Sequence, residues 1–270
     1  VDMLMHFLTM SVNDDVVASA AMVLHMLEVS SKGACLKIIQ NGGASSLLVQ
    51  LQRTRNNRVL LPVITALRAM VEAWRASQDD YEWCELRLFD GHDDAIEVLV
   101  GLLKKSDHDL LRLESSVVIY HMCTLQPQMM IRAGSAGAIE SLVSLTEEPK
   151  QDGPGRLAQH WAVNALCVLL IAEENHERFT AAKGHLALVE LLRTTRDGQV
   201  VEQAARALSN YMCTHRAQLQ VALGGGAEAL VSAVVRATES KAVDEAVMEQ
   251  VCAAICNLTF ENDANRIKVG

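Results

Sequence analysis

An all-α chain built by stacking one three-helix unit about six times is the fold class this sequence predicts. Three observations carry it: a segment that recurs at a near-constant period, apolar residues at three- and four-residue intervals, and a shortage of aromatic residues. Apolar residues make up 50% of the 270 but aromatic ones only 4%, so Ala, Val, Leu and Met must fill the core, as they do between closely packed helices. Tyr, Phe and Trp are too scarce for a β-sandwich. A chain this long exceeds the usual single compact core, so two domains or a repeat array is expected. The period decides for one array over residues 1–270, with a repeat cut at each end.

The recurring segment is a small or Gly-rich corner followed by an amphipathic run: GGASSLLVQL from Gly42, DDAIEVLVGLL from Asp93, AGAIESLVSL from Ala136, GHLALVELL from Gly184 and GGAEALVSAV from Gly225. The aligned valines, Val49, Val100, Val143, Val189 and Val231, lie 51, 43, 46 and 42 residues apart. LMHFL from Leu4 is a degenerate first copy. A longer apolar helix follows each segment, starting near Val16, Val59, Leu111, Leu157, Val200 and Ala246, with helical and not strand periodicity over three or more turns. A short third element, such as KGACLKIIQNGG or RAQLQVALGGG, leads to the next glycine, which can take the left-handed backbone that ends a helix. Pro62 predicts that the second long helix starts near Leu61 or bends there. Segments 75–81, before the Trp83 element, and 146–156 (TEEPKQDGPGR) exceed the basic repeat and read as loops.

Residues 207–234 (ALSNYMCTHRAQLQVALGGGAEALVSAV) and 254–270 (AICNLTFENDANRIKVG) resemble armadillo repeats, through the Ala-Leu-x-Asn-Leu ending of the long helix, the apolar short helix and the Gly-Gly corner. The three-helix unit and its period fit that family, and the resemblance extends over essentially the whole chain. It implies a right-handed superhelical solenoid whose third helices form a concave wall, with one residue per repeat aligned as a ladder. In the family that position is typically Asn, which can donate to and accept from the backbone of an extended peptide. Here it holds Met26, Ala69, His121, Val168, Asn210 and Asn257. One turn earlier, where the family's nuclear-import adaptors present Trp, stand Met22, Thr65, Val117, Asn164, Arg206 and Ala253. The missing tryptophan ladder weighs against recognition of basic import signals.

The groove this implies is asymmetric. Its C-terminal half offers His160, Trp161, Asn164, Gln203, Arg206, Asn210, Glu249, Gln250 and Asn257, polar side chains at successive turns of one face. His121 occupies the ladder in the weaker N-terminal half, beside Met22, Met26, Thr65 and Val117. The methionines there read as core filling, the commoner use of a flexible thioether.

Other chemistry is not legible. With a net charge of −9 and no basic cluster, nucleic acid is not expected as a partner. The longest nearly apolar stretch, 161–172, has 12 residues, too few to cross a membrane. Seven cysteines sit singly in apolar runs except Cys252 and Cys256, one turn apart with no second ligand pair, and this pattern implies reduced thiols in the cytoplasm or nucleus and no metal. There is no Walker loop, dinucleotide fingerprint or His-Glu-x-x-His, so no cofactor and no catalytic residue is expected. The resulting expectation is a non-enzymatic scaffold or adaptor, cytoplasmic, that binds an extended or helical protein segment. Alternatives on the same architecture are a regulatory or targeting domain of a larger enzyme, and a chaperone or nuclear transport adaptor. The open repeat ends are expected to contact another chain.

Overall fold

The computed structural model describes residues 1–77, 94–105, 108–147, 153–239 and 244–269, with the side chains of residues 105 and 239 left aside. Among the described residues there are seventeen α-helices and no strand. The Trp83 element, Cys84 and most of the 75–81 insertion fall outside them. The chain divides into two units, Val1–Arg132 and Ala133–Gly270.

The first unit holds α1 (Asp2–Met10), α2 (Asp14–Ser30), α3 (Lys32–Gln40), α4 (Gly43–Arg53), α5 (Asn57–Ala76), α6 (Ala95–Lys105) and α7 (Asp109–Leu125). Helix α8 (Gln128–Ala136) carries the boundary. The second unit continues with α9 (Ala138–Glu147), α10 (Gly153–Leu169), a 3-10 turn at Glu173–Asn175, α11 (His176–Ala181), α12 (Gly184–Thr194), α13 (Gly198–Tyr211), α14 (His215–Leu223), α15 (Gly226–Glu239), α16 (Glu245–Thr259) and α17 (Asp263–Val269).

Each unit is two layers of helices. In the first, α2, α5 and α7 stack in one layer and α1, α4 and α6 in the other; in the second, α10, α13 and α16 face α9, α12 and α15. The sequence dictates this because each long helix carries a buried stripe too wide for one neighbour. Helix α13 buries Val200, Ala204, Ala207 and Tyr211 along one line and Val201, Ala205 and Leu208 along another. Each buried Val or Leu contributes about 1.5–3 kcal/mol, so neighbouring repeats supply much of each helix's stability. Caps set the starts. Asn13, Asn56, Asp197 and Asp244 each accept a backbone N–H from the first turn of α2, α5, α13 and α16.

The Gly-Gly corner divides two tasks between its residues. Gly225 has φ of +80°, while a Cβ on Gly226 would lie 2.4 Å from Val221 Cγ1 of the preceding short helix. At the preceding corner Lys183 takes the left-handed position with φ of +57°, and Gly184 keeps the close approach, 2.1 Å from Phe179 Cε2. The second glycine is the one geometry demands.

Three expectations need correction. Of the two expectations for Pro62, a start near Leu61 or a bend there, the start is overturned: helix α5 starts at Asn57 and runs through Pro62. Asn56 caps it, and burial of Val59 and Leu60 offsets the hydrogen bond that Pro62 cannot donate. Residues Thr146 and Glu147 close α9 and 153–156 open α10, so of the 146–156 loop only 148–152 is left, outside the described residues. Met5, Met129 and Met130 are core, but Met3 and Met10 are 70% and 68% exposed and Met22 and Met26 55% and 68%, the last two because they lie on the side of α2 away from its buried Val17, Ala21 and Leu24.

Candidate functional site

The third-helix layer of the second unit brings together most of the polar residues singled out from sequence. Asp197 starts α13, accepting from Gln199 N at 3.1 Å and from Arg156 Nη2 at 2.9 Å. Burial works against its charge, yet the Arg156 contact and the backbone N–H groups hold its carboxyl below the usual range. Asp244 plays the same capping role for α16.

On this frame the two ladder amides do the same thing. Asn210 Nδ2 donates to Cys167 O of α10 at 3.0 Å, and Asn257 Nδ2 donates to Ser209 O of α13 at 3.1 Å and to Ser209 Oγ at 2.8 Å. Each acceptor carbonyl sits one residue before the ladder position of the preceding helix, Val168 or Asn210. The donor half of each amide thus ties one third helix to the one before it. Both side chains are half-buried, and among the described residues nothing donates to either Oδ1.

Arg206 and its surroundings form the next rung. Its side chain is 43% exposed and bonds Glu202 at 3.1 Å within α13 and Gln250 Oε1 at 3.3 Å on α16. Gln203 also donates to Glu202, at 3.1 Å. Glu249 is exposed, half a turn from the buried edge of α16. On α10, half-buried Trp161 meets His160 edge to face at 5.9 Å, and burial pushes the imidazole of His160 down from its ordinary value, with Asp197 opposing and Arg156 reinforcing. Asn164 is buried and donates to His160 O at 3.1 Å within its own helix, so it presents little to a ligand.

His121 belongs to the first unit, where it is 3% exposed. It lies 3.8 Å from Glu72 Oε1 and 3.5 Å from Arg75 Nη1, inside a charge cluster whose centre is Arg68, paired with Glu72 at 3.1 Å and Glu114 at 2.6 Å. The hydrogen bond from His121, offset by burial and helped by Arg68, holds Glu72 below the usual carboxylate range; burial pushes Glu114 up despite Arg68. An apolar cleft of about 340 Å³ lies beside this cluster, lined by Met22, His25, Met26, Leu61, Pro62, Thr65, Leu110 and Glu114.

Sequence reasoning missed several of these partners. The Glu202–Arg206 pair was open to it, being four residues apart on one helix. Gln218, which donates to Asn257 O at 2.9 Å and Phe260 O at 3.2 Å, was not, since its partners lie about a repeat away. Among the described residues no three metal-ligating side chains converge, and no single helix is long and apolar enough to cross a membrane.

No protein-family model and no curated protein matches the sequence. Solved structures do. A designed armadillo repeat protein is 19% identical, with a TM-score of 0.74 over 95% of this chain and 99% of that one. A second, in complex with the peptide (KR)4, is 19% identical, with a TM-score of 0.72 over 95% and 98%. Computationally designed armadillo repeat proteins for modular peptide recognition match at 18% identity and 0.73 over 94% and 98%. At such identities likeness carries the fold, and in fold the chain is an armadillo-type helical repeat protein.

Proposed function

We propose that this repeat scaffold holds an extended protein segment along the third helices α10, α13 and α16, and that it acts by binding and not by catalysis. The observation behind this reading is the pair of amides one repeat apart, Asn210 and Asn257, each with its N–H group used by the preceding helix and its oxygen left to accept. A fixed amide is a better ligand for a peptide than a mobile one, because the entropy of ordering it has been lost before binding. The ligand's backbone N–H groups donate to these oxygens. With helices about 8–10 Å apart and an extended chain rising about 3.3 Å per residue, every second or third residue meets a rung.

Side-chain preference follows from the neighbours. The half-exposed guanidinium of Arg206 favours an acidic or amide side chain beside Asn210, and exposed Glu249 favours a basic one toward α16. A peptide ligand also suits the fold, since one of the designed armadillo proteins that this chain resembles is itself in complex with a peptide.

The test starts from peptides selected on the immobilised chain from a random library. Arg206→Ala should weaken the selected peptides about three- to tenfold, as loss of a half-exposed charged contact does. Peptides whose affinity is unchanged by Arg206→Ala and by Gln250→Ala together would place recognition elsewhere on the surface.

A further inference from the structure

The apolar cleft of the first unit has no part in the peptide reading of α10, α13 and α16, and its polar groups follow a pattern. Helices of this chain bound it on both sides, with α5 stacked between α2 and α7. Met22 and Met26 come from α2, Leu110 from α7, and Leu61 and Pro62 from α5, so most of the lining is hydrocarbon or thioether. Each helix adds one polar side chain: His25 from α2, Thr65 from α5 and Glu114 from α7. His25 Nδ1 is buried without a hydrogen-bond partner. Burial, helped by Arg68 and opposed by Glu72, lowers the pKa of this imidazole, so at neutral pH the ring is uncharged and can accept.

Glu114 is 8% exposed. Its Oε2 lies 2.6 Å from Arg68 Nε but out of line for a hydrogen bond, and the same guanidinium bonds Glu72 at 3.1 Å. Arg75 turns away, to His121 Nδ1 and the Tyr120 ring. Glu114 thus shares its one nearby cation with a second carboxylate. Burial raises its pKa, opposed by Arg68 and reinforced by Glu72. The cleft joins apolar walls to a base that is short of a donor and of positive charge.

We infer that this cleft is a socket for a lysine side chain of a partner protein. The methylenes of the lysine lie against Met22, Met26 and Leu110, and its ammonium donates to Glu114, His25 Nδ1 and Thr65 Oγ1, one acceptor from each helix. Lysine suits the base better than arginine. Three donors diverging from one compact nitrogen match acceptors on three helices, whereas a planar guanidinium seeks two oxygens of one carboxylate. The rim residues Met22, Met26 and Leu110 are exposed, so the far end of the ligand lies in solvent, where a side chain joins its backbone. The chain's net charge of −9 favours encounter with a basic segment.

Methionine-methyl NMR of the whole chain, titrated with the tripeptide Ac-Gly-Lys-Gly-NH2, is the test. The Met22 and Met26 signals should shift with a dissociation constant on the order of a millimolar. The norleucine tripeptide keeps the four-carbon stem without the ammonium and should bind about tenfold more weakly. Glu114→Gln should erase that preference while the remaining methionine signals keep their dispersion. Met26→Ala, read at Met22, should weaken both tripeptides about threefold and leave the preference intact. Butylammonium, which lacks the flanking backbone, should bind about fivefold more weakly than the lysine tripeptide. Four results overturn the inference: no shift at Met22 or Met26; norleucine bound as tightly as lysine, which makes the cleft a purely apolar contact; a lysine preference that survives Glu114→Gln in the folded chain; or butylammonium bound as tightly as the tripeptide, which assigns the cleft to a free amine.

Discussion

Glu28 gives the sharpest quantitative prediction. It lies on α2 with 5% exposure, and neither carboxylate oxygen has a hydrogen-bond partner. Burial alone pushes its pKa from 4.5 up to about 8. Since the folded state holds its proton to a higher pH than the unfolded state, the group has no net effect below pH 4.5, where both forms are neutral. Stability is then lost as pH rises from 4.5 to about 8, at roughly 1.4 kcal/mol per unit, for a total of about 5 kcal/mol. Cys35, the one neighbour whose thiol shares this environment, is pushed by burial and by Glu28 up to about 12, so it does not titrate in this window. Glu28→Gln abolishes the proton linkage and leaves the shape nearly unchanged. Urea unfolding of both chains at pH 5, 6, 7 and 8 should show the stability difference moving in favour of the variant by about 3 kcal/mol between pH 5 and 7. An unpartnered Gln amide adds a constant cost, so the slope and not the offset is the readout. Parallel pH profiles would refute the reasoning, since they require an ionised Glu28 with a partner or with solvent.

Other perturbations follow from the same contacts. Gly184→Ala drives a methyl group to within 2.1 Å of the Phe179 ring and should cost about 2–3 kcal/mol in thermal unfolding, whereas Gly101→Ala, inside α6 and facing open space, should stabilise the chain by about 0.5–1 kcal/mol. Asn257→Ala removes the bonds to Ser209 and should cost about 1–2 kcal/mol, with a double-mutant cycle against Ser209→Ala showing coupling between them. Arg68→Ala leaves buried Glu114 without its ion pair and should destabilise the chain by about 3 kcal/mol at pH 7, a loss that shrinks as acid protonates the carboxyl.

The fold was legible because its signal is redundant. Each unit restates the same three helices, so weak copies such as α6 and α7 are read by alignment with strong ones such as α13 to α16. Pro62 shows where a local rule loses: a proline penalty predicts a helix start or a bend, and a capped first turn and two buried residues move the start back to Asn57. At the site, alignment put Asn210 and Asn257 in one register and could not show what their N–H groups bond. Those acceptors are backbone carbonyls 43 and 48 residues away, which carry no residue type to read. The same blindness hid the burial of His121 and Asn164, two polar residues at outward-looking register positions that pack inward instead. It also changes the choice of experiment. Because the ladder amides brace the stack, replacing both by Ala disturbs the scaffold along with any ligand contact, so the cleaner perturbation lies on the ligand.

A backbone N-methyl scan of a library-selected peptide, with affinities measured by calorimetry on the unaltered chain, is therefore the most direct test of binding along α10, α13 and α16. Methylating the two amides that donate to Asn210 and Asn257 should each weaken binding about tenfold, with those positions two or three residues apart and the positions between them tolerant. Uniform tolerance to N-methylation at every position would contradict the account, because no peptide N–H would then be donating to the ladder.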